Sequence, residues 1–551
     1  MLTNLHLNLL IFHKLQKGNI IKTLTQIKLI IFTAIFLVLF DNYSFFHNVL
    51  EIYPFNFSNS GFLFSLGLVL VSVITLVFTL VSSKYTTKTI LIAVVIVSSM
   101  TNYFMNSYKV VIDDSMIRNM MQTDIHESLD LLSIKQVLYF IFLGLLPAYL
   151  IYKVKIEYRA FKKEVFAKII TVFASLALVL LSVFIFSKHY TSFFREHKPL
   201  RYSTNPTYWI YSTVKYISKT FNSGPIIVKP LGEDAKINED ENTTKKLVIM
   251  VVGEAVRADH FSLNGYERDT NPLLKQEDII NFSQMYSCGT STAESVPCMF
   301  SQFDRGDYSY KKGITNENVL DVIKHTGKVA ILWRDNNSDS KGVALRVNYE
   351  NYKKPVNNTI CTEGECRDIG MLVGLGKFIE DNKNKNILII LHQMGNHGPA
   401  YYKRYTKDFE QYTPVCETNQ LEECTQDEIK NGYDNSILYT DMFLAKTIEF
   451  LKQYDDTYQT AMIYMSDHGE SLGEGGVYLH GLPYFMAPDA QKHIGSLMWF
   501  GDKMKQKLNV DVLKAQKDQE FSQDNFFHSL LGIFKVQTTA YDQELDMFNG
   551  K

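Results

Sequence analysis

The residues that could carry chemistry collect where apolar runs end. Glu254 closes the run KKLVIMVVGE, His397 follows the run at 386–393, and Asp467 and His468 close the run at 461–466, with His480 twelve residues further on. An apolar run that opens into a carboxylate or an imidazole is costly unless the group is paired or binds a metal. A single carboxylate in such a place is as readily a helix cap or an exposed group. Five such residues at three run ends make a carboxylate and imidazole set suited to Zn²⁺ or Mn²⁺. A second candidate is SCGTSTAESVPCMFS at 287–301, where two cysteines bracket a run of small hydroxyl residues. A hydroxyl oxygen at a helix N-terminus is a favourable nucleophile, because the helix dipole and free N–H groups stabilise negative charge there. Metal coordination lowers its pKa further. Without chemistry, the same residues are a Ser/Thr N-cap.

These residues need a scaffold. From 245 onward KKLVIMVVGE, KVAILWRD, NILIILHQMG, TAMIYMSDHG and GSLMWFG each read as a buried strand, and long intervening segments such as 431–454 have helical character. Buried strands alternating with helices predict an α/β domain with a mainly parallel sheet covered on both faces. In such sheets function sits at the carboxyl ends of the strands, which is where Glu254, His397, Asp467 and His468 lie.

The first third of the chain reads differently. Apolar runs occur at 24–44, 61–83, 89–105, 136–152 and 169–186. A membrane span needs about 20 mostly apolar residues, so five helical spans are expected. Lys28 lies within the first run, and near a helix end a lysine can snorkel to the interface. Basic residues set the orientation. Lys14, Lys17, Lys22 and Lys28 mark the N-terminal segment, 41–60 has no Lys or Arg, Lys84 and Lys88 follow the second run, and 153–168 carries six basic residues, whereas 106–135 has three against five acidic. The N-terminus is therefore expected in the cytoplasm and everything after the fifth span outside. No signal-peptide cleavage pattern appears, so the first span is expected to act as an uncleaved anchor. Residues 188–243 read as a connector, with interfacial aromatics at Tyr208-Trp209-Ile210-Tyr211 and the polar run GEDAKINEDENTTKK. The expected organisation is a transmembrane domain at 1–187, a connector at 188–243 and a catalytic domain at 244–551.

The cysteines point to the same side. All six fall from Cys288 onward, as Cys288 and Cys298, Cys361 and Cys366, Cys416 and Cys424. An even count in close neighbours suits three disulfides and an oxidising compartment, although spacing alone does not fix the connectivity. No pair has the C-x-x-C spacing of a zinc site. With 551 residues, a net charge of −2, 46 % hydrophobic and 21 % charged residues, the chain is not disordered, collagen-like or a coiled coil. Its gross charge gives no argument for a nucleic-acid partner.

Taken in order, VVGEAVRADHFSLNGYERDTNP (251–272), SCGTSTAESVPCMFS, WRDNNSDSKG (333–342), LHQMGNHGPAYYKRY (391–405) and SDHGESLGEGGVYLHG (466–481) resemble the phosphoethanolamine transferases of Gram-negative envelopes that modify lipid A, a group that includes the mobile colistin-resistance enzymes. The resemblance covers most of the chain and implies five spans, a connector and a sulfatase/alkaline-phosphatase-like domain. It implies that Thr292, the second threonine of GTST, is the nucleophile, with Thr290 and Ser291 as neighbours that could be mistaken for it. Glu254, Asp467 and His468 would hold a catalytic zinc together with Thr292. His397 and His480 match histidines near the transferred group, in some members with a second zinc. Ser338 and Lys341 match phosphate contacts. Asn119, Thr123 and Glu127, spaced by four and so on one helix face, match polar lipid-site positions; otherwise they are an exposed helix face. The family pairing of the cysteines is 288–298, 361–366 and 416–424. Two departures stand out: Glu294 replaces a residue that is usually apolar, and Ala255-Val256 follows Glu254 where a hydroxyl residue is common.

The implied activity is a zinc-dependent transfer of phosphoethanolamine from phosphatidylethanolamine to a lipid A phosphate through a phosphoethanolamine-threonine. It would take place at the inner membrane with the catalytic domain in the periplasm, by a monomer, and would confer polymyxin resistance. The alternative acceptor is a core sugar, Kdo or heptose, or a surface protein. A phosphoglycerol transferase or sulfatase is a further reading, but the Cys/Ser-x-Pro-x-Arg segment of a sulfatase is missing at the nucleophile position. A catalytically dead membrane protein that senses metal or binds lipid is the non-enzymatic one.

Overall fold

A computed structural model describes residues 23–123, 131–221, 226–238, 243–362, 364–508 and 510–549. Its residues form two compact units, Met1–Asp113 with Ser133–Val214, and Asp114–Leu132 with Lys215–Lys551.

The first unit is built of apolar helices. Four are long and apolar enough to cross a membrane: Phe57–Val81, Thr87–Ser107, Ile134–Lys153 and Phe161–Ile185. The expected first span is a bent pair, Gln26–Phe40 and Tyr43–Ile52, with axes 57° apart, which makes five if the pair is one span. The break has a local cause. The Asn42 side-chain amide donates to the Leu37 carbonyl (2.9 Å), which also accepts the Asp41 N–H (2.9 Å), and its oxygen accepts the Asn205 backbone N–H (2.9 Å), so the helix is capped at Asp41-Asn42. Phe166, Phe173, Leu180 and Phe184 stand exposed along Phe161–Ile185. Large apolar side chains are left uncovered when the solvent is lipid, where a helix satisfies its own backbone.

The second unit is a seven-stranded sheet between helices. In chain order its strands are β1 (Lys246–Gly253), β2 (Ile279–Asn281), β3 (Val329–Asp335), β4 (Asn348–Asn351), β5 (Asn386–His392), β6 (Gln459–Ser466) and β7 (Ser496–Phe500). Their order across the sheet is β2-β7-β6-β1-β5-β3-β4. The strands from β6 to β4 are parallel, and β7 and β2 are joined by antiparallel pairings. The sheet is thus mainly parallel, as the apolar runs predict; β2 and β4 are too short to show in the sequence. Alternate residues serve opposite faces. Val248, Met250 and Val252 join one core with helices α2 (Thr292–Met299) and α4 (Asp524–Ile533). Leu247, Ile249 and Val251 join the other with α3 (Gln426–Lys452). Helix α3 starts at a capping box: Thr425 Oγ1 accepts the Glu428 N–H while Glu428 returns a carboxylate oxygen to the Thr425 N–H, satisfying two otherwise orphaned donors. A short helix, α1 (Asp114–Gln122), also belongs to this unit and is tied by Asp114 to Lys215 and Lys219, at 2.6 Å each.

Register aligns the strand ends. Ser466 pairs with Gly253, and His392 pairs with both Val252 and Asp335. The residues that follow, Asp467, Glu254, Gln393 and Asn336, therefore leave the sheet side by side. This end is stiffened by buried Asp335, which accepts hydrogen bonds from Trp333 Nε1 (2.8 Å) and the Asn337 N–H (3.0 Å) and contacts His392 Nδ1 (2.9 Å). Asp335→Ala would strand these groups without water. It is expected to cost about 3 kcal/mol or more and to lower the unfolding temperature of the second unit by roughly 5 °C or more, read by thermal denaturation of the purified protein.

Candidate active site

The three hydroxyls of GTST have different surroundings. Thr290 Oγ1 donates to the Leu482 carbonyl (2.6 Å), and Ser291 Oγ contacts Asn119 Oδ1 (3.4 Å). Thr292 is the first residue of α2, with Ser291 as an extended N-cap. Its Oγ1 donates to Glu254 Oε2 at 3.1 Å and lies 3.4 Å from His468 Nε2. Only this third hydroxyl of GTST is directed at the strand-end cluster, and it sits at a helix N-terminus that favours an oxyanion.

Glu254, Asp467 and His468 are fully buried, and one ligand atom from each lies within 4.8 Å of the others. His468 Nε2 is 3.5 Å from Glu254 Oε1 and 3.4 Å from Asp467 Oδ2. His468 Nδ1 is 2.8 Å from the Gly469 carbonyl, which assigns the proton to Nδ1 and the lone pair to Nε2. Burial holds the His468 pKa below its ordinary value, which favours this neutral form. Asp467 Oδ1 accepts two backbone N–H groups, from His468 (2.7 Å) and Ala255 (3.1 Å), while no hydrogen bond reaches buried Asp467 Oδ2. Two carboxylates and an imidazole lone pair thus converge in a buried space where they repel one another. That donor set fits a divalent cation such as zinc.

A cavity of about 50 Å³ over this cluster is lined by Thr292, Asn119, Thr123, Ser338, Lys341, His397 and His480. Residues from five separate stretches of sequence are brought together there; Glu127 lies outside the described residues. His480 Nδ1 is 2.8 Å from buried Glu470, whose other oxygen accepts from Tyr401 Oη (2.7 Å). The His480 ring is 4.2 Å from that of His468 and 5.9 Å from that of His397. Lys341 holds a left-handed backbone conformation (φ +49°), and its buried side chain brings Nζ to 3.9 Å from Asp339. Disulfides join Cys288 to Cys298, Cys361 to Cys366 and Cys416 to Cys424; the first clamps the loop before Thr292 to the far end of α2.

Family comparison agrees with this architecture. A sulfatase family model matches residues 246–536, and a model described as phosphoethanolamine transferase EptA/EptB matches 70–221. The chain is 45 % identical to the phosphatidylethanolamine transferase Mcr-1 of Escherichia coli, over 94 % of this chain and 96 % of that protein. It is 38 % identical to the phosphoethanolamine transferase EptA of Salmonella typhimurium, over 95 % and 96 %. Its structure is similar to that of the integral membrane lipooligosaccharide phosphoethanolamine transferase A of Neisseria meningitidis, with a TM-score of 0.92 at 35 % identity, covering 96 % of this chain and 99 % of the other. The chain belongs to the phosphoethanolamine transferase family.

The site of this transferase contains supports that sequence reading passed over. Asn337 Nδ2 donates to Glu254 Oε2 (2.8 Å) and to the Gln393 carbonyl (2.7 Å). It lies within the motif WRDNNSDSKG, where polar residues directly follow a buried strand, and that was its available signal. Gln523 has no comparable signal. Its amide donates to the Ser466 and Asp467 carbonyls (2.9 and 2.8 Å) and its oxygen accepts from the Cys288 N–H and Ser295 Oγ (2.8 and 2.6 Å), so one side chain ties the nucleophile loop to the end of β6. Partners that orient metal ligands commonly contribute 10–100-fold to affinity. Asn337→Leu is accordingly expected to weaken zinc binding by about 10-fold or more, measured by chelator competition.

Proposed function

We propose that this transferase moves phosphoethanolamine from phosphatidylethanolamine to a phosphate of lipid A, through a covalent phosphoethanolamine-threonine at Thr292. The observation that carries the reading is the Thr292 hydroxyl, at the head of α2 and 3.1 Å from Glu254, opening into the cavity shared with Ser338, Lys341, His397 and His480. The names of the relatives supply the group transferred, and that of the Neisseria protein an acceptor of the lipooligosaccharide class.

A zinc ion held by Glu254, Thr292, Asp467 and His468, with His397 and His480 open to a second, would act as Lewis acid and lower the hydroxyl pKa. In the first half-reaction Thr292 Oγ1 attacks the donor phosphorus, its proton passing toward Glu254 Oε2, and the bond from phosphorus to the diacylglycerol oxygen breaks. His480 Nε2 or His397 gives that oxygen a proton. In the second, a phosphate oxygen of lipid A attacks the same phosphorus in line and gives its proton to that histidine, the bond to Oγ1 breaks, and Thr292 takes its proton back from Glu254. Ser338 and Lys341 bind the phosphate oxygens, and Lys341 offsets their charge. Such transfer depends mainly on positioning and charge stabilisation, and a covalent intermediate predicts ping-pong kinetics.

Both substrates are lipids, which gives the apolar helices their purpose. In this reading residues 1–187 anchor the enzyme in the inner membrane with the N-terminus in the cytoplasm, 188–243 connect, and 244–551 work in the periplasm as part of a monomer; Asn119, Thr123 and Glu127 contact lipid. The alternating loop charge and the three disulfides support that orientation.

Lipid A from cells expressing the chain is expected to gain about 123 Da per group transferred, from the composition of phosphoethanolamine, by mass spectrometry, and Thr292→Ala to abolish the gain. Unchanged lipid A in cells containing folded, zinc-loaded protein would sink the lipid A assignment and move the acceptor to core sugars or envelope proteins. Each added ammonium also caps an anionic phosphate and weakens electrostatic attraction for cationic peptides. The polymyxin concentration that stops growth is expected to rise several-fold with the wild-type chain and not with Thr292→Ala.

A further inference from the structure

The loop that follows β1 carries a backbone feature that the ligand set does not explain. Ala255 holds φ +58°, a left-handed conformation that a Cβ disfavours and that persists only where the surroundings impose it. Its N–H is one of the two donors to Asp467 Oδ1 (3.1 Å), so the turn leaves the other carboxylate oxygen for the ligand cluster. The same turn fixes the departure of Glu254 from the sheet. One side chain spans it from outside: Tyr433, on α3, donates from Oη to the Ala255 carbonyl (2.6 Å) and accepts the Arg257 N–H (3.0 Å). Tyr433 is fully buried, with its ring edge-on to Tyr401 and His260 at 5.4 and 5.2 Å. The next residue, Asp434, accepts from Tyr266 (2.9 Å) and Arg268 (2.8 Å) and pairs with His260 (2.7 Å), which holds α3 against this loop.

We propose that Tyr433 is a positioning residue: its hydroxyl holds Ala255 in the left-handed turn that aims the Ala255 N–H at Asp467 and brings Glu254 into the ligand cluster. The inference rests on the ligand set proposed above.

The test is a double-mutant cycle on the purified full-length chain, read as zinc affinity by chelator competition with thermal unfolding as the fold control. Tyr433→Phe is expected to weaken zinc binding about 10-fold. In the Ala255→Gly background the same substitution is expected to cost at most about twofold, because glycine takes the left-handed turn without a Cβ penalty. Undiminished affinity in Tyr433→Phe would overturn the proposal. Equal losses in both backgrounds would do so too, since they make Tyr433 merely structural, as would failure of the double variant to fold. Wild-type protein that binds no zinc would overturn the ligand set itself, a result distinct from any of these.

Discussion

Everything at the head of this sheet depends on forcing mutually repelling groups together. Glu254, Asp467 and His468 present lone pairs to one another within 4.8 Å, all fully buried. Left to themselves these side chains would turn apart. They are prevented by constraints that act on each separately: two backbone N–H groups on Asp467 Oδ1, the Gly469 carbonyl on His468 Nδ1, and Asn337 on Glu254 Oε2. On Asp467 and His468 the constrained atom is the one turned away from the cluster, whereas on Glu254 Asn337 shares Oε2 with the Thr292 hydroxyl. The repulsion is therefore stored in the fold and available to a cation.

Thr292 is constrained by the same economy of contacts. Thr292 needs a fixed approach to the carboxylate cluster, and α2 supplies it only if its first turn cannot slide. The Cys288–Cys298 disulfide closes the loop onto the helix, and Gln523 ties Cys288 and Ser295 to the carbonyls of Ser466 and Asp467. Loop, helix and strand end are thereby tied together, so Thr292, Asp467 and His468 share one frame. Such fixed geometry, rather than reactive groups as such, is what phosphoryl-type transfer asks of a protein.

How much of this was legible beforehand follows from the range of each interaction. Buried strands announce themselves as apolar runs, and the groups at their ends stand out because charge after such a run is costly, so Glu254, Asp467 and His468 could be singled out from the residues alone. The choice of Thr292 over Thr290 and Ser291 could not, and came from resemblance, because three adjacent hydroxyls differ only in what they face. Gln523 and Tyr433 act across 228 and 178 positions respectively and leave no local pattern. The first apolar run reads as one span, yet the helix breaks at Asn42, whose amide joins the Asp41 N–H on the Leu37 carbonyl and holds Asn205. Hydropathy averages such a residue away.

The charge balance explains why the cation and the lysine belong to one design. In the proposed reaction both substrates bring phosphate to a pocket floored by two carboxylates, so an uncompensated site would repel donor and acceptor alike. A divalent cation held by Glu254, Asp467 and His468 would offset the carboxylate charge on the Thr292 side of the pocket. Lys341, buried against Asp339 and lining the cavity above the threonine, would supply positive charge on the substrate side in that proposed reaction. Its left-handed backbone (φ +49°) places a second strained residue at the site, opposite Ala255 in role: one turn aims a backbone donor at a ligand, the other aims a side chain at the substrate. Leu479, beside His480, is left-handed as well (φ +63°); strain of this kind beside the site, with the sheet beneath left regular, is what a fold requires when the arrangement best for the chain and the arrangement best for the chemistry differ.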